Sequence, residues 1–444
     1  MQPHDTLKRQ IGLRTATALV IGEVIGVGIF LTPAGMAKSV GSPLWLLVVW
    51  LVMGAMALCG ALCYGELAAR FPEAGGGYVY LREGYGEGLA FLYGWMALVV
   101  MDPGITAALA TGLGEYAGYV LNLSPAGVKA VAVASILMLA AANISGVRVG
   151  AWLMRWLTVL KLGLLLFVLA WGFVFGLGDW SNFTPFVAQR QGSAPLLVAL
   201  AGGMVAAFFS FGGWWDLSKL AGEVRAPART LPRALLYGVA AVTVVYTLTS
   251  AAFIYLVPIA SVTSGETFAA QAGEALFGRF GGRVFAGVVI VTVLGSLAGL
   301  IMAAPRVYYA MARDRVFFEG VARLHPRFAT PARAIAIQAA LASLLVLLGN
   351  FDDIVAYFIF VVVLFIALTV AAVFRFRRGP QSPEPEYLTP GYPVTPIFFL
   401  SLVAVLLVLL AGNNPRQALL GAAVVALGLP VYYLFFRGGS SRDK

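Results

Sequence analysis

Long stretches of this chain carry no charge and little polarity, and short basic segments interrupt them at intervals. A helix needs roughly 20 apolar residues to cross a bilayer, and about twelve runs qualify. They centre near 24, 55, 100, 135, 168, 205, 245, 292, 340, 363, 402 and 426. Runs such as LWLLVVWLVMGAMALCGALCYG are apolar on every face, whereas membrane β-strands alternate with period two. The pattern predicts an all-α integral membrane protein of about twelve transmembrane helices. No small-residue cleavage site follows the first run, so it reads as a retained span rather than a signal peptide.

Two runs break the helical pattern near their own middles. The first carries GEVIGVGIF (22–30), with Pro33 just beyond. Gly26 and Gly28 stand two apart, so they cannot share one helix face as a packing pair does. Pro33 disturbs the hydrogen bond to the carbonyl of Ile29. Together these predict a helix that opens between about 25 and 29. The sixth run carries FFSFGGWWDLSK (208–219), where Gly212 and Gly213 interrupt it and Asp216 and Lys219 follow. Interrupted helices at matching places in two halves point to an inverted-repeat carrier with its site at mid-membrane. Opened peptide groups must meet water or a ligand, because in lipid each costs several kcal/mol. Half-helix N-termini favour a carboxylate, and freed carbonyls favour an ammonium. An amino acid supplies both.

Composition narrows the classes. Apolar residues make up 60% of the 444 residues and charged ones 11%, with mean hydropathy +0.89, too little polar surface for a soluble globule. If loops alternate sides, the side holding the N-terminus takes 21 of the 30 lysines and arginines. That places both termini in the cytoplasm, with the protein multi-pass in the cell (plasma or inner) membrane. The asymmetry accounts for the net charge of +10, so the expected partner of the basic loops is the lipid bilayer and not nucleic acid. The long polar connections 220–233, 306–333 and 375–395 read as cytoplasmic loops, the second with a short surface helix. His4 and His325 lie outside the spans, which leaves no histidine for catalysis in the membrane. No phosphate loop is present, so an ATP-driven pump is excluded, and no repeated filter sequence suggests a channel. Cys59 and Cys63 share one span and read as packing residues, with no metal, cofactor or enzyme activity expected.

Four longer motifs carry a family resemblance. GEVIGVGIFLTP resembles the first-span motif of the amino acid–polyamine–organocation transporters. YGELAARFPEAGGGYVYLREGYG (64–86) is similar to their segment from span two into the first cytoplasmic loop. SFGGWWDLSKLAGEVRAPARTLPRAL matches their span-six motif, and APRVYYAMARDRVFFEGVARLHPRFATP (304–331) their span-eight end and loop. The likeness is strongest to bacterial relatives of the L-type amino acid transporter branch. It implies a LeuT-like 5+5 inverted repeat plus two peripheral helices: 1–180, 181–380, and 381–444 for spans eleven, twelve and the tail. It also implies alternating-access transport of α-amino acids, with exchange of neutral L-amino acids expected. A proton-coupled carrier of cationic amino acids or polyamines is the rival reading.

The resemblance further implies roles for individual residues. Amides around Gly26, Val27 and Gly28 would hold the substrate carboxylate. Carbonyls near Ile25 and from Phe209 through Ser210 to Phe211 would take the ammonium, and Phe211 would act as a lid. Gly212 and Gly213 would make room for the substrate side chain. Lys161, in WLTVLKLGLLL, lies about 9 Å deeper than Arg155 at ~1.5 Å per residue; its depth alone fits either a snorkelling lysine or a buried one. Sodium-independent members place a lysine there in lieu of a coupling ion, bonding carbonyls of span one near Ser296. Asp102, mid-span beside Pro103, has three open readings: pairing with a neighbouring helix, recognition of a basic substrate, or proton relay. Glu23 is expected near the cytoplasmic end of span one, solvated or salt-bridged, and Asp216 with Lys219 as an i,i+3 strut at the inner gate. Light subunits of heteromeric relatives pair through a cysteine outside the membrane; both cysteines here lie in span two, so no disulfide-linked subunit is expected.

Overall fold

The computed structural model describes residues 7–26, 28–262, 268–348, 359–378, 385–413 and 415–436. The first apolar run forms α1 (Leu13–Val24) and α2 (Gly28–Val40), which meet at a bend of 47°. Then follow α3 (Pro43–Arg70), the short α4 (Gly77–Tyr85), α5 (Glu87–Leu121), α6 (Pro125–Ile144) and α7 (Val147–Val174). The sixth run forms α8 (Leu196–Phe211), continued after the two glycines by a 3₁₀ helix, Trp214–Glu223. The chain closes with α9 (Pro227–Leu256), α10 (Phe268–Phe277), α11 (Gly281–Ala303), α12 (Pro305–Arg313), α13 (Ala332–Leu348), α14 (Ile359–Arg378), α15 (Val394–Asn413) and α16 (Pro415–Ala426). Among the described residues, ten helical stretches are long and apolar enough to cross a membrane, eleven with the bent pair taken as one. The apolar α13 adds a shorter helix of 17 residues. No strand occurs among the described residues beyond an isolated bridge between Ile11 and Val224.

The sequence sets several of these boundaries. Proline stands in the first turn of α3, α6, α9 and α12, where its missing N–H would have no helical partner. Within α5, residues Ala97–Met101 wind as a π-type turn immediately ahead of Asp102 and Pro103. The proline ring crowds the carbonyl four residues back, and widening the turn relieves that clash. Bulky apolar side chains face outward, including Leu197, Val408 and Leu419, each more than 70% exposed. Such a surface is stable only against lipid tails. Within 306–333, α12 is buried from Pro305 to Ala312, and the expected short surface helix is the 3₁₀ turn Glu319–Ala322, whose Glu319 is exposed. Arg306 of α12 forms an ion pair with Glu223 at 2.9 Å, both side chains nearly inaccessible.

Candidate functional site

The two interrupted spans meet each other. α1 ends at Val24, Ile25 and Gly26 leave the helix, and α2 starts at Gly28; Val27 lies outside the described residues. In the other span, Gly212 (φ −56°, ψ 147°) leaves the helix, and Gly213 adopts φ 105°. A side chain at Gly213 would be strained at that angle. Gly28 faces Ser210 so closely that an added Cβ would lie 2.9 Å from the Ser210 Cα. The contact is tied by Thr32 Oγ1, which stands 2.8 Å from Ser210 Oγ and donates to the Gly28 carbonyl at 2.9 Å. Both openings therefore border one another.

The peptide groups freed by the breaks find specific partners. Lys161 Nζ donates to the Ile25 carbonyl at 2.6 Å and also to that of Gly22, with Thr292 O at 3.3 Å and Ser296 Oγ at 3.4 Å. Ser296 Oγ lies 3.0 Å from Gly22 O and 3.1 Å from Ile25 O. Lys161 is thus buried, its ammonium enclosed between α1 and α11 rather than reaching toward an interface. The Ile25 carbonyl, expected to face the ammonium of a substrate, is occupied by Lys161. The Gly26 amide donates to Val24 O at 2.8 Å. At the start of α2, the first amides have no intrahelical acceptors, and the helix dipole favours an anion there.

Sequence reasoning missed Tyr246 of α9. Its hydroxyl donates to Val24 O at 2.7 Å or Ser210 O at 2.9 Å, so one oxygen joins the rims of both breaks. A buried tyrosine in VTVVYTLTS must find a partner for its hydroxyl, and that is the signal the sequence offered. The ring packs against Trp50 and Phe211, at centroid distances of 5.1 and 5.3 Å. Phe211, expected as a lid, sits in that aromatic cluster and does not line the cavity described below. Replacing Tyr246 with phenylalanine keeps the ring and leaves buried carbonyls short of a donor, a loss of about 1–3 kcal/mol. A lowered melting temperature in detergent and slower transport, with the aromatic packing retained, is the expected result.

Beyond the second break, acidic and basic side chains gather out of water. Lys219 Nζ lies 2.8 Å from Asp216 Oδ1 and 3.1 Å from Asp102 Oδ1. The Tyr308 hydroxyl donates to Asp102 Oδ2 at 2.9 Å. Of the three roles open to Asp102, its geometry is that of a pairing residue between α5, α12 and the 3₁₀ helix. Glu23 differs from expectation. It is the penultimate residue of α1, about 15 Å along the helix from Leu13 at ~1.5 Å per residue, and only 9% exposed. Because the span is cut at its centre, this position lies at the break and not near a membrane surface. Neither carboxylate oxygen has a hydrogen-bond partner among the described residues, so the expected salt bridge is absent too.

A cavity of about 110 Å³ lies where the two breaks meet. Its wall includes Gly26, Gly28, Phe209, Ser210, Gly212, Gly213 and Ser296, with Glu23 and Asp216 at one side. Ile105, Leu109, Leu300, Ile359 and Val362 give it an apolar flank, and the volume has room for several waters. Among the described residues no group of three His, Cys, Asp or Glu side chains is arranged to hold a metal. Cys59 and Cys63 are free thiols within α3.

Comparison with known proteins matches this arrangement to a family. A family model described as amino acid permease matches residues 11–436. The serine/threonine exchanger SteT of Bacillus subtilis is 32% identical over 432 residues, 96% of this chain and 97% of the relative. The human large neutral amino acids transporter small subunit 2 is 29% identical, covering 96% of this chain and 80% of the relative. The human cystine/glutamate transporter is 28% identical, covering 98% and 86%. With a full-length family match, broken spans and a cavity between them, this chain is a multi-pass membrane transporter, not an enzyme, and belongs to the amino acid permease family.

Proposed function

We propose that this protein exchanges neutral L-amino acids across the cell membrane by alternating access, without sodium, and that both termini are cytoplasmic. The observation that carries the reading is the cavity between the two breaks, with the N-terminus of α2 beside it and an apolar flank. A zwitterion's carboxylate suits that N-terminus, and its side chain suits Ile105, Leu109 and Val362. Sodium independence rests on Lys161, whose ammonium takes the opened carbonyls of Gly22 and Ile25 that would otherwise suit a cation. The relatives named as a serine/threonine exchanger and a large neutral amino acids transporter accord with a neutral substrate. The two halves, 1–180 and 181–380, would be inverted repeats, each opening on an interrupted helix. Free Cys59 and Cys63, both within α3, leave no thiol outside the spans for a disulfide-linked partner.

Counterflow into proteoliposomes tests this directly. Vesicles loaded with unlabelled serine, threonine or leucine should accumulate the labelled amino acid at equal rates in sodium and choline buffers. Strict dependence on sodium would remove the role given to Lys161, and a failure of every amino acid tried would remove the whole reading.

A further inference from the structure

The charged groups around the cavity do not balance. Glu23, Asp216 and Asp102 bring three acidic side chains, while Lys219 and Lys161 bring two basic ones. Lys219 is shared between Asp102 and Asp216. Lys161 spends its donors on peptide carbonyls and Ser296. Glu23 is left with two unpartnered oxygens, on the cavity wall and out of water. An ionised carboxylate there would be both unsolvated and unpaired, a state that buried groups avoid by binding a cation or a proton.

The elements packed on α1 offer no missing cation. The 3₁₀ helix supplies Asp216 and Lys219, α7 supplies Lys161, and α5 behind them supplies Asp102. α9 brings Tyr246, whose hydroxyl donates to Val24 O. α11 presents Ser296 and the backbone of Gly299, where an added Cβ would lie 2.8 Å from Glu23 Oε1. Space for a metal ion is thus closed on that side, while a proton needs none.

We propose that Glu23 holds a proton in this closed conformation and exchanges it with water when the cavity opens, so that a proton crosses together with the amino acid. The inference rests on the transporter reading above. The reaction is a plain protonation: the carboxylate gains a proton from water on one side and releases it on the other, with no redox partner. A neutral zwitterion brings no net charge to the cluster, so the proton supplies the one positive charge it lacks. In the exchange mode, each half-cycle returns the proton with the substrate. With an amino acid gradient on one side only, the proton moves alongside it.

Two measurements on the purified full-length protein decide the matter. Infrared difference spectra of the detergent-solubilised protein should contain a protonated-carboxyl carbonyl band that Glu23→Gln removes. In proteoliposomes holding a trapped pH dye, adding serine or leucine outside should acidify the lumen. Counterflow by the wild type should lose up to about tenfold per pH unit above its transition, the limit for one proton, and Glu23→Gln should flatten that profile. No band, a pH profile of counterflow that Glu23→Gln leaves unchanged, or amino acid uptake into substrate-free vesicles without acidification of the lumen overturns the proposal while leaving the transporter reading intact. Counterflow by lysine or arginine alone, lost in Glu23→Gln, also overturns it, because the carboxylate is then the partner of a substrate cation. If no amino acid is transported, the transporter reading falls, and the coupling falls with it.

Discussion

Lys161→Ala should cut exchange at least about a hundredfold while the protein still folds. The ammonium binds the carbonyls of Gly22 and Ile25 on one side and Ser296 and Thr292 on the other. Hydrogen bonds to a charged group contribute roughly 1.5–3 kcal/mol each, and about 1.4 kcal/mol is a factor of ten. Loss of two such bonds alone reaches the stated factor if α1 must hold this shape for the transport step. Ser296 remains as a partial substitute, since its hydroxyl reaches both α1 carbonyls. That is why a folded, monodisperse variant is expected rather than an unfolded one. Size-exclusion profiles and counterflow initial rates check the two halves of the expectation. Wild-type kinetics in the variant would remove Lys161 from the mechanism.

Gly28→Ala is expected to be nearly as damaging, for a different reason. The added methyl would lie 2.8 Å from Ser210 Oγ, 2.9 Å from its Cα and 3.0 Å from its Cβ. A flexible side chain could turn aside, but a Cα cannot, so α2 and α8 must part. Overpacking of this kind costs about 1–3 kcal/mol. The shift falls on the rim of the cavity, so transport should drop with the melting temperature. Gly163→Ala in α7 is the matched control, because nothing lies within 4 Å of the added carbon. There the exchange of glycine for alanine within a helix should hold or raise stability by about 0.5–1 kcal/mol. A Gly28→Ala protein as stable and active as the control would mean that the two spans do not need this close approach.

The helices and the two breaks were legible because each has a local cause. Apolar runs demand helix in lipid, and each expected span centre falls within a helix of the structure. Glycines two apart at 26 and 28, and adjacent at 212 and 213, marked the openings to within two or three residues. Lys219 and Asp216 were legible as neighbours, since three residues of helix bring them together. What escaped the sequence depends on distant partners. Tyr246 reads as one more apolar-span aromatic until α9 places its hydroxyl over both breaks. Glu23 stands two residues ahead of the predicted opening, but its burial beside Asp216, Lys219 and Gly299 depends on elements far along the chain. The same holds for Arg306, which the sequence places at the edge of a span without revealing its partner Glu223, 83 positions away.

The N-terminal segment adds a mechanical consequence. Gln10 and Ile11 donate to the Glu223 carbonyl at 2.8 and 2.9 Å, and Arg225 donates back to Ile11 at 2.9 Å. The Glu223 side chain is in turn clamped by Arg306. At its other end, α1 is fastened through Tyr246 and Lys161. With anchors at head and foot, this half-helix has no free swing of its own. An inward tilt that keeps the foot anchor intact must carry the tail of the sixth span with it, which gears the two severed rods as a single crank.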